Sequence, residues 1–179
     1  MPSYLRYKLD GSTYFFTVVT QGRRPWFRSE NFRRVLRRCF REARRMMPFD
    51  VDAVVLLPDH LHILMRPADG VDYSALWRLI KTRFTRSVTP TLAASDPAVE
   101  GRRKGERGIW QRRFYEHTIR NDDDWGRHMD YIHFNPVKHG LVDKPSEWAW
   151  SSFRCYVRGG WLEPDWPGGR KVSFPNVQE

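Results

Sequence analysis

Residues 58–67 read PDHLHILMRP. Pro58-Asp59 is turn chemistry: proline presets φ, and aspartate bonds its own nearby backbone. HLHILMR at 60–66 then reads as a strand, apolar except for two histidines and a closing arginine. Side chains alternate in direction along a strand, so His60, His62, Leu64 and Arg66 share one face and Leu61, Ile63 and Met65 the other. Upstream, VDAVVLL at 51–57 reads as a buried strand, joined to the first as a tight hairpin. Burying two imidazoles without partners is costly. They are either ordinary histidines with local partners or ligands of one divalent metal, imidazole being the commonest side-chain metal ligand. Spacing alone leaves both readings open.

Working outward, TYFFTVVT at 13–20 is β-branched and aromatic and reads as a strand. Residues 30–47 read as a helix, with Phe32, Val35, Leu36, Cys39, Phe40, Ala43 and Met46 in its apolar stripe and Ser29 as N-cap. Its other face carries Arg33, Arg34, Arg37, Arg38, Arg41, Arg44 and Arg45 against the single Glu42, too lopsided for an ordinary solvated face. A second helix spans 73–88 on Leu76, Ile80, Phe84 and Val88. Residues 89–108 lack periodicity and end in the basic GRRKGERG, which reads as a loop. IWQRRFYEHTIR at 109–120 resumes strand character, and Asp122 to Asp124 open a third helix at its favourable end. Asn135-Pro136 either kinks that helix or caps a short new one. The order β-α-β-β-α-β-α predicts an α+β, ferredoxin-like split β-α-β fold: an antiparallel sheet with helices on one face, plus a C-terminal helix and an extended tail. One domain is expected over 1–158, followed by a Gly/Pro-rich tail over 159–179.

Length and composition agree with a folded protein: 179 residues with 40% hydrophobic content can bury a core. No apolar run approaches the roughly 18 residues of a membrane span, and the N-terminus lacks an apolar leader core, so a cytoplasmic protein is expected. Cys39 and Cys155 read as free thiols, and no CxxC motif is possible. The net charge is +10 and uneven: 24 bases and 12 acids in residues 1–120 give +12, and 7 against 9 in residues 121–179 give −2. A basic body points to a polyanionic partner, most simply nucleic acid.

The third helix supplies a second cluster. Asp124, His128, Tyr131 and Asn135 fall on one stripe, beside an apolar stripe of Trp125, Met129 and Ile132. Read alone, Tyr131 is a packing residue and Asn135 a cap. Read with the histidines, two imidazoles and an amide oxygen make a metal site with open positions, able to polarise a phosphoryl oxygen. A nearby tyrosine can then attack phosphorus and form a covalent ester. Phenol, with a pKa near ~10, needs a cation or base to do so. GxxxxGK[ST], HExxH and GxSxG are all absent, which leaves ATP-driven, zincin and common serine-hydrolase schemes without support.

The stretches LPDHLHILMRP, IWQRRFYEHTIRNDDDW, HMDYIHFNPVKHGLV and PSEWAWSSF, in this order, resemble the REP-associated tyrosine transposases of the wider HUH single-strand transposase and nuclease group. The resemblance spares only the 89–108 loop and the end of the tail. It implies His60, His62 and Asn135 as ligands of Mg²⁺ or Mn²⁺, although related insertion-sequence enzymes often carry Gln at the position of Asn135. It implies Tyr131 as the nucleophile, forming a 5′-phosphotyrosine bond to single-stranded DNA and releasing a 3′-hydroxyl. The implied substrate is a REP element, a short imperfect palindrome that folds into a hairpin. Insertion-sequence relatives act as dimers, whereas the REP-associated group implies a monomer. Charge and placement nominate DNA contacts at Arg23, Arg24 and Trp26 in a loop, at Arg37, Arg38 and Arg41 on the first helix, and at Arg112 and Arg113 beside the last strand. Two alternatives compete: a domesticated hairpin-binding protein without turnover, and a metal-dependent hydrolase that uses water.

Overall fold

The computed structural model describes residues 11–93 and 108–166. The basic stretch 101–107 and the tail from 167 onward lie outside the described residues. Four strands, β1 (Tyr14–Val19), β2 (Phe49–Leu56), β3 (His60–Pro67) and β4 (Tyr115–Thr118), form one antiparallel sheet in the order β2-β3-β1-β4. β3 is thus inserted between β1 and β2, the split β-α-β arrangement expected from the element order. The helices are α1 (Glu30–Met46), α2 (Tyr73–Ala93), α3 (Asp122–Lys138) and the short α4 (Phe153–Arg158).

The two faces of the sheet are covered differently. Phe16, Val18, Leu61, Ile63 and Met65 pack with α1 and α2, through Leu36, Cys39, Ala43, Leu76, Ile80 and Phe84 among others. Phe15, Ala53, Val55 and Leu64 pack with Met129, Tyr131 and Ile132 of α3. Helices therefore occupy both faces: α3, with Tyr156 of α4 beside it, covers the face to which alternation sends His60 and His62. Ser29 caps α1 through the Phe32 N–H, and Asp72 opens α2 by accepting from the backbone of Ser74.

Three boundaries differ from the sequence reading. α2 runs on through Pro90 to Ala93 instead of ending at 88. β4 is four residues long, not twelve, because exposed Arg112 and Arg113 loop out between it and a bridge from Trp110 to Thr20. α3 does not restart at Asn135: it is capped by Asn121 and continues through Pro136 to Lys138. Gly140, at φ 63°, then ends it, with the Gly140 and Leu141 N–H groups donating to the Val137 and Pro136 carbonyls.

PSEWAWSSF closes the open edge of β2. The Leu56 N–H donates to the Trp150 carbonyl and the Ser152 N–H to the Val54 carbonyl, so an edge that otherwise invites strand pairing is occupied. His133 of α3 is buried under this segment with Nε2 3.0 Å from Ser152 Oγ, and burial pushes its pKa down from 6.5 to about 4. The neutral form is the one folded. Stability from this group is complete above pH 6.5 and is lost as pH falls toward 4, where the unfolded chain binds a proton the native chain refuses. The full loss amounts to about 3 kcal/mol. Urea unfolding at pH 7 and pH 4 should show His133→Gln losing about that much less than wild type. Equal losses would remove His133 from the acid response. Both cysteines are free thiols, Cys39 buried and Cys155 exposed. Among the described residues no helix is long and apolar enough to cross a membrane.

Candidate active site

β3 carries the first half of the site. The His62 side chain is fully buried, with Nδ1 2.9 Å from Thr17 Oγ1 of the paired strand β1. His60 Nδ1 lies 2.6 Å from Asp59 Oδ1. Burial works to raise the Asp59 carboxyl, but the hydrogen bond and charge of His60 and the Arg23 guanidinium outweigh it and hold the group below its ordinary value. Asp59 is therefore an anionic acceptor for His60 Nδ1, which leaves Nε2 as the ring nitrogen without a partner among the described residues. Desolvation, reinforced by the positive groups around it, holds His62 well below its usual value and hence neutral. Neutral imidazoles oriented through Nδ1 are the form that binds metal through Nε2.

α3 brings the second half. Its i, i+4, i+8 stripe sets the Tyr131 ring 5.0 Å from that of His62 and the His139 ring 5.4 Å from that of His60. Asn135 lies between them in sequence and so on the helix face that carries Tyr131, its side chain buried. Lys138 Nζ stands 5.0 Å from the Tyr131 ring centroid. Tyr131 itself is 1% exposed, its ring also edge-on to Phe15.

Four buried polar atoms here have no hydrogen-bond partner among the described residues: His60 Nε2, His62 Nε2, and both Oδ1 and Nδ2 of Asn135. Leaving such atoms unpaired costs about 1–3 kcal/mol each, and buried groups are almost always paired. Two imidazole lone pairs and an amide oxygen are a divalent-metal donor set, so these residues fit one.

A second cluster lies toward the N-terminus of α3. His117, Asp124 and His128 place three potential ligand atoms within 4.8 Å of one another, an arrangement that can hold a divalent ion. Its atoms are already engaged. Asp124 Oδ2 accepts from His117 Nε2 at 2.8 Å and from the Arg120 N–H at 3.0 Å. His128 Nδ1 lies 2.8 Å from the Asp124 carbonyl. Burial alone would raise Asp124, yet these donors lower it, and desolvation lowers His128. The cluster pins the first turn of α3 to β4, with its ligand atoms engaged, whereas His60 Nε2 and His62 Nε2 are unpaired among the described residues.

The remaining nominated residues separate. Arg23 is turned onto Asp59, with Nη1 3.2 Å from Oδ2. Arg24 stacks over Trp26, whose ring also meets Phe32, so Trp26 is part of the core margin. Arg37, Arg38 and Arg41 are exposed on α1, on the sheet face opposite the histidines; Arg38 lies 3.9 Å from Glu42. Sequence patterning does not mark Thr17, Lys138 or His139 as site residues, and it reads Asp59 only as a turn residue. His139 stands one helical repeat beyond Asn135, whereas Thr17 is brought in only by strand register.

A divided sheet with paired histidines on one strand and a tyrosine on the covering helix defines a class, the IS200-like transposases, whose family pattern matches residues 8–135. Within that class, the chain belongs to the REP-associated tyrosine transposase family. It is 38% identical over 169 residues to the REP-associated tyrosine transposase of Escherichia coli strain K12, covering 94% of this chain and 92% of that one. A putative REP-associated tyrosine transposase of Haemophilus influenzae is 37% identical over 175 residues, covering 97% and 98%. A solved structure of a REP-associated tyrosine transposase bound to a REP hairpin superposes with a TM-score of 0.82 at 36% identity, covering 100% of this chain and 98% of that one.

Proposed function

We propose that this transposase cleaves and rejoins single-stranded DNA beside REP-type hairpins through a 5′-phosphotyrosine intermediate on Tyr131. The observation that carries the reading is the set of unpaired atoms on His60, His62 and Asn135, with the Tyr131 ring packed against His62. The substrate comes from the relative solved with a REP hairpin.

His60, His62 and Asn135 would hold the ion, Mg²⁺ or Mn²⁺, the nitrogen ligands favouring Mn²⁺ in vitro. When bound it supplies Lewis-acid polarisation of a phosphoryl oxygen. The Tyr131 oxygen attacks phosphorus, the P–O3′ bond breaks, and the departing 3′ oxygen takes up a proton as the phenol gives one up. Reversal with a new 3′-hydroxyl rejoins the strand. Lys138 places positive charge beside the tyrosine, where it favours phenolate and the phosphoryl group alike. The occupied edge of β2 supports a monomer.

The test is a denaturing gel of the protein with labelled hairpin DNA and Mg²⁺ or Mn²⁺. An SDS-resistant labelled protein band is expected. Cut DNA without that band would replace the tyrosine mechanism with hydrolysis by water.

Arg37 and Arg41 carry no ion pair among the described residues and lie with Arg38 on one exposed face. Replacing all three with Ala should weaken hairpin binding about tenfold or more near 0.1 M salt and flatten the log–log salt slope by roughly 2 to 3. Because α1 and the histidines are on opposite faces, cleavage at saturating DNA should be spared. Unchanged binding would take α1 out of the interface.

A further inference from the structure

His60 is held by more than its neighbour in sequence. The Asp59 carboxylate bridges two groups, accepting from His60 Nδ1 at 2.6 Å through Oδ1 and from Arg23 Nη1 at 3.2 Å through Oδ2. Arg23 comes from the loop after β1, and that loop is bolted to the turn before β3. The Thr20 N–H donates to the Asp59 carbonyl at 2.8 Å and the Phe27 N–H to the Pro58 carbonyl at 2.9 Å. Thr20 Oγ1 donates to the Arg24 carbonyl at 2.8 Å, tightening the bend around Arg23. Arg23 itself adopts φ 49°, the only positive value at a non-glycine residue among the described residues. Side-chain-bearing residues avoid this region, and where it persists the surroundings impose it. Here it turns the guanidinium back onto Asp59.

We infer that Arg23 is a positioning residue for the metal site, acting through Asp59 to fix the tautomer and ring orientation of His60, in place of a direct contact to DNA. This rests on the reading of His60 as a metal ligand. A guanidinium can bridge to a carboxylate and fix its plane. A carboxylate so fixed presents a stationary acceptor to Nδ1, which keeps Nε2 aimed into the site. The loop and the metal site therefore form one rigid unit across the β1–β3 pair.

The experiment is a Mn²⁺ titration of the full-length chain, by calorimetry or by the EPR signal of free Mn²⁺, without DNA. Asp59→Asn should weaken Mn²⁺ binding roughly 10- to 100-fold, the usual effect of losing a partner behind a ligand. Arg23→Gly should weaken it by several-fold up to about tenfold, and Arg23→Lys, which can still pair with Asp59, should recover most of that. Glycine accepts the left-handed backbone, so this variant removes the guanidinium without forcing the loop. Hairpin binding in EDTA should stay within about twofold of wild type for Arg23→Gly. If Arg23→Gly leaves Mn²⁺ affinity intact while His60→Ala abolishes it, the inference falls and the site stands. Weakened hairpin binding in EDTA at unchanged Mn²⁺ affinity makes Arg23 a phosphate contact and also overturns it. If His60→Ala leaves Mn²⁺ binding unchanged, the metal-site reading fails and takes this inference with it.

Discussion

Tyr131→Phe is expected to abolish the covalent DNA adduct and to lower cleavage by on the order of 10³-fold or more, while hairpin binding and folding should survive. The asymmetry follows from where the ring sits. Its packing is aromatic, edge-on to Phe15 and to His62, and phenylalanine keeps both contacts. What is lost is the one oxygen able to attack phosphorus from α3. The Lys138 charge, 5.0 Å from the ring centroid, then has no oxyanion left to favour. Lys138→Ala added to Tyr131→Phe should therefore change little, although alone it should slow cleavage. Single-turnover cleavage on labelled hairpin DNA, with band retardation in parallel, measures both halves. Residual cleavage near the wild-type rate would mean water is the nucleophile. Retardation without cleavage in the wild type itself would make the chain a hairpin-binding module.

Much of this site was legible because it obeys local periodicities. Alternation along PDHLHILMRP put His60 and His62 on one face, and helical spacing put Tyr131 and Asn135 on one stripe. The resemblance to REP-associated transposases joined the two stripes into a single site, which neither periodicity does alone. What could not be read is set by packing between elements. Element order does not say which face of the sheet an added helix covers, and α3 takes the face opposite α1 and α2. The arginines of α1 accordingly stand on the sheet face opposite the histidines. Asn135-Pro136 looked like a helix boundary because both residues favour one. Tertiary burial overrode that preference, which is why the Asn135 amide is buried within α3 and is not spent on capping. Arg23 reads as a loop cation in sequence, and only the hydrogen bonds between its loop and the Pro58–Asp59 turn reveal where its charge goes.

The pairing of the orphaned imidazole with the metal can be separated from the pairing of the fold with its core. Replacing His62 alone would strand Thr17 Oγ1, but Thr17→Val with His62→Leu removes both partners and fills the space with apolar groups. Such double replacement is close to neutral or stabilising, because it also removes an unpaired buried nitrogen. In EDTA the double variant should therefore unfold in urea within about 1–2 kcal/mol of wild type. With Mn²⁺ at 100 times its dissociation constant, wild type should gain about 2.7 kcal/mol and the variant should gain nothing from this site. Cleavage by the variant should fall at least as far as in Tyr131→Phe. A loss of several kcal/mol in EDTA would show His62 and Thr17 to be structural first. Equal Mn²⁺ stabilisation of both proteins would move the ion to the other cluster, His117, Asp124 and His128, whose atoms would have to give up their mutual hydrogen bonds to bind it. That exchange is the reason the ion should choose His60 and His62: there it satisfies atoms that nothing else reaches.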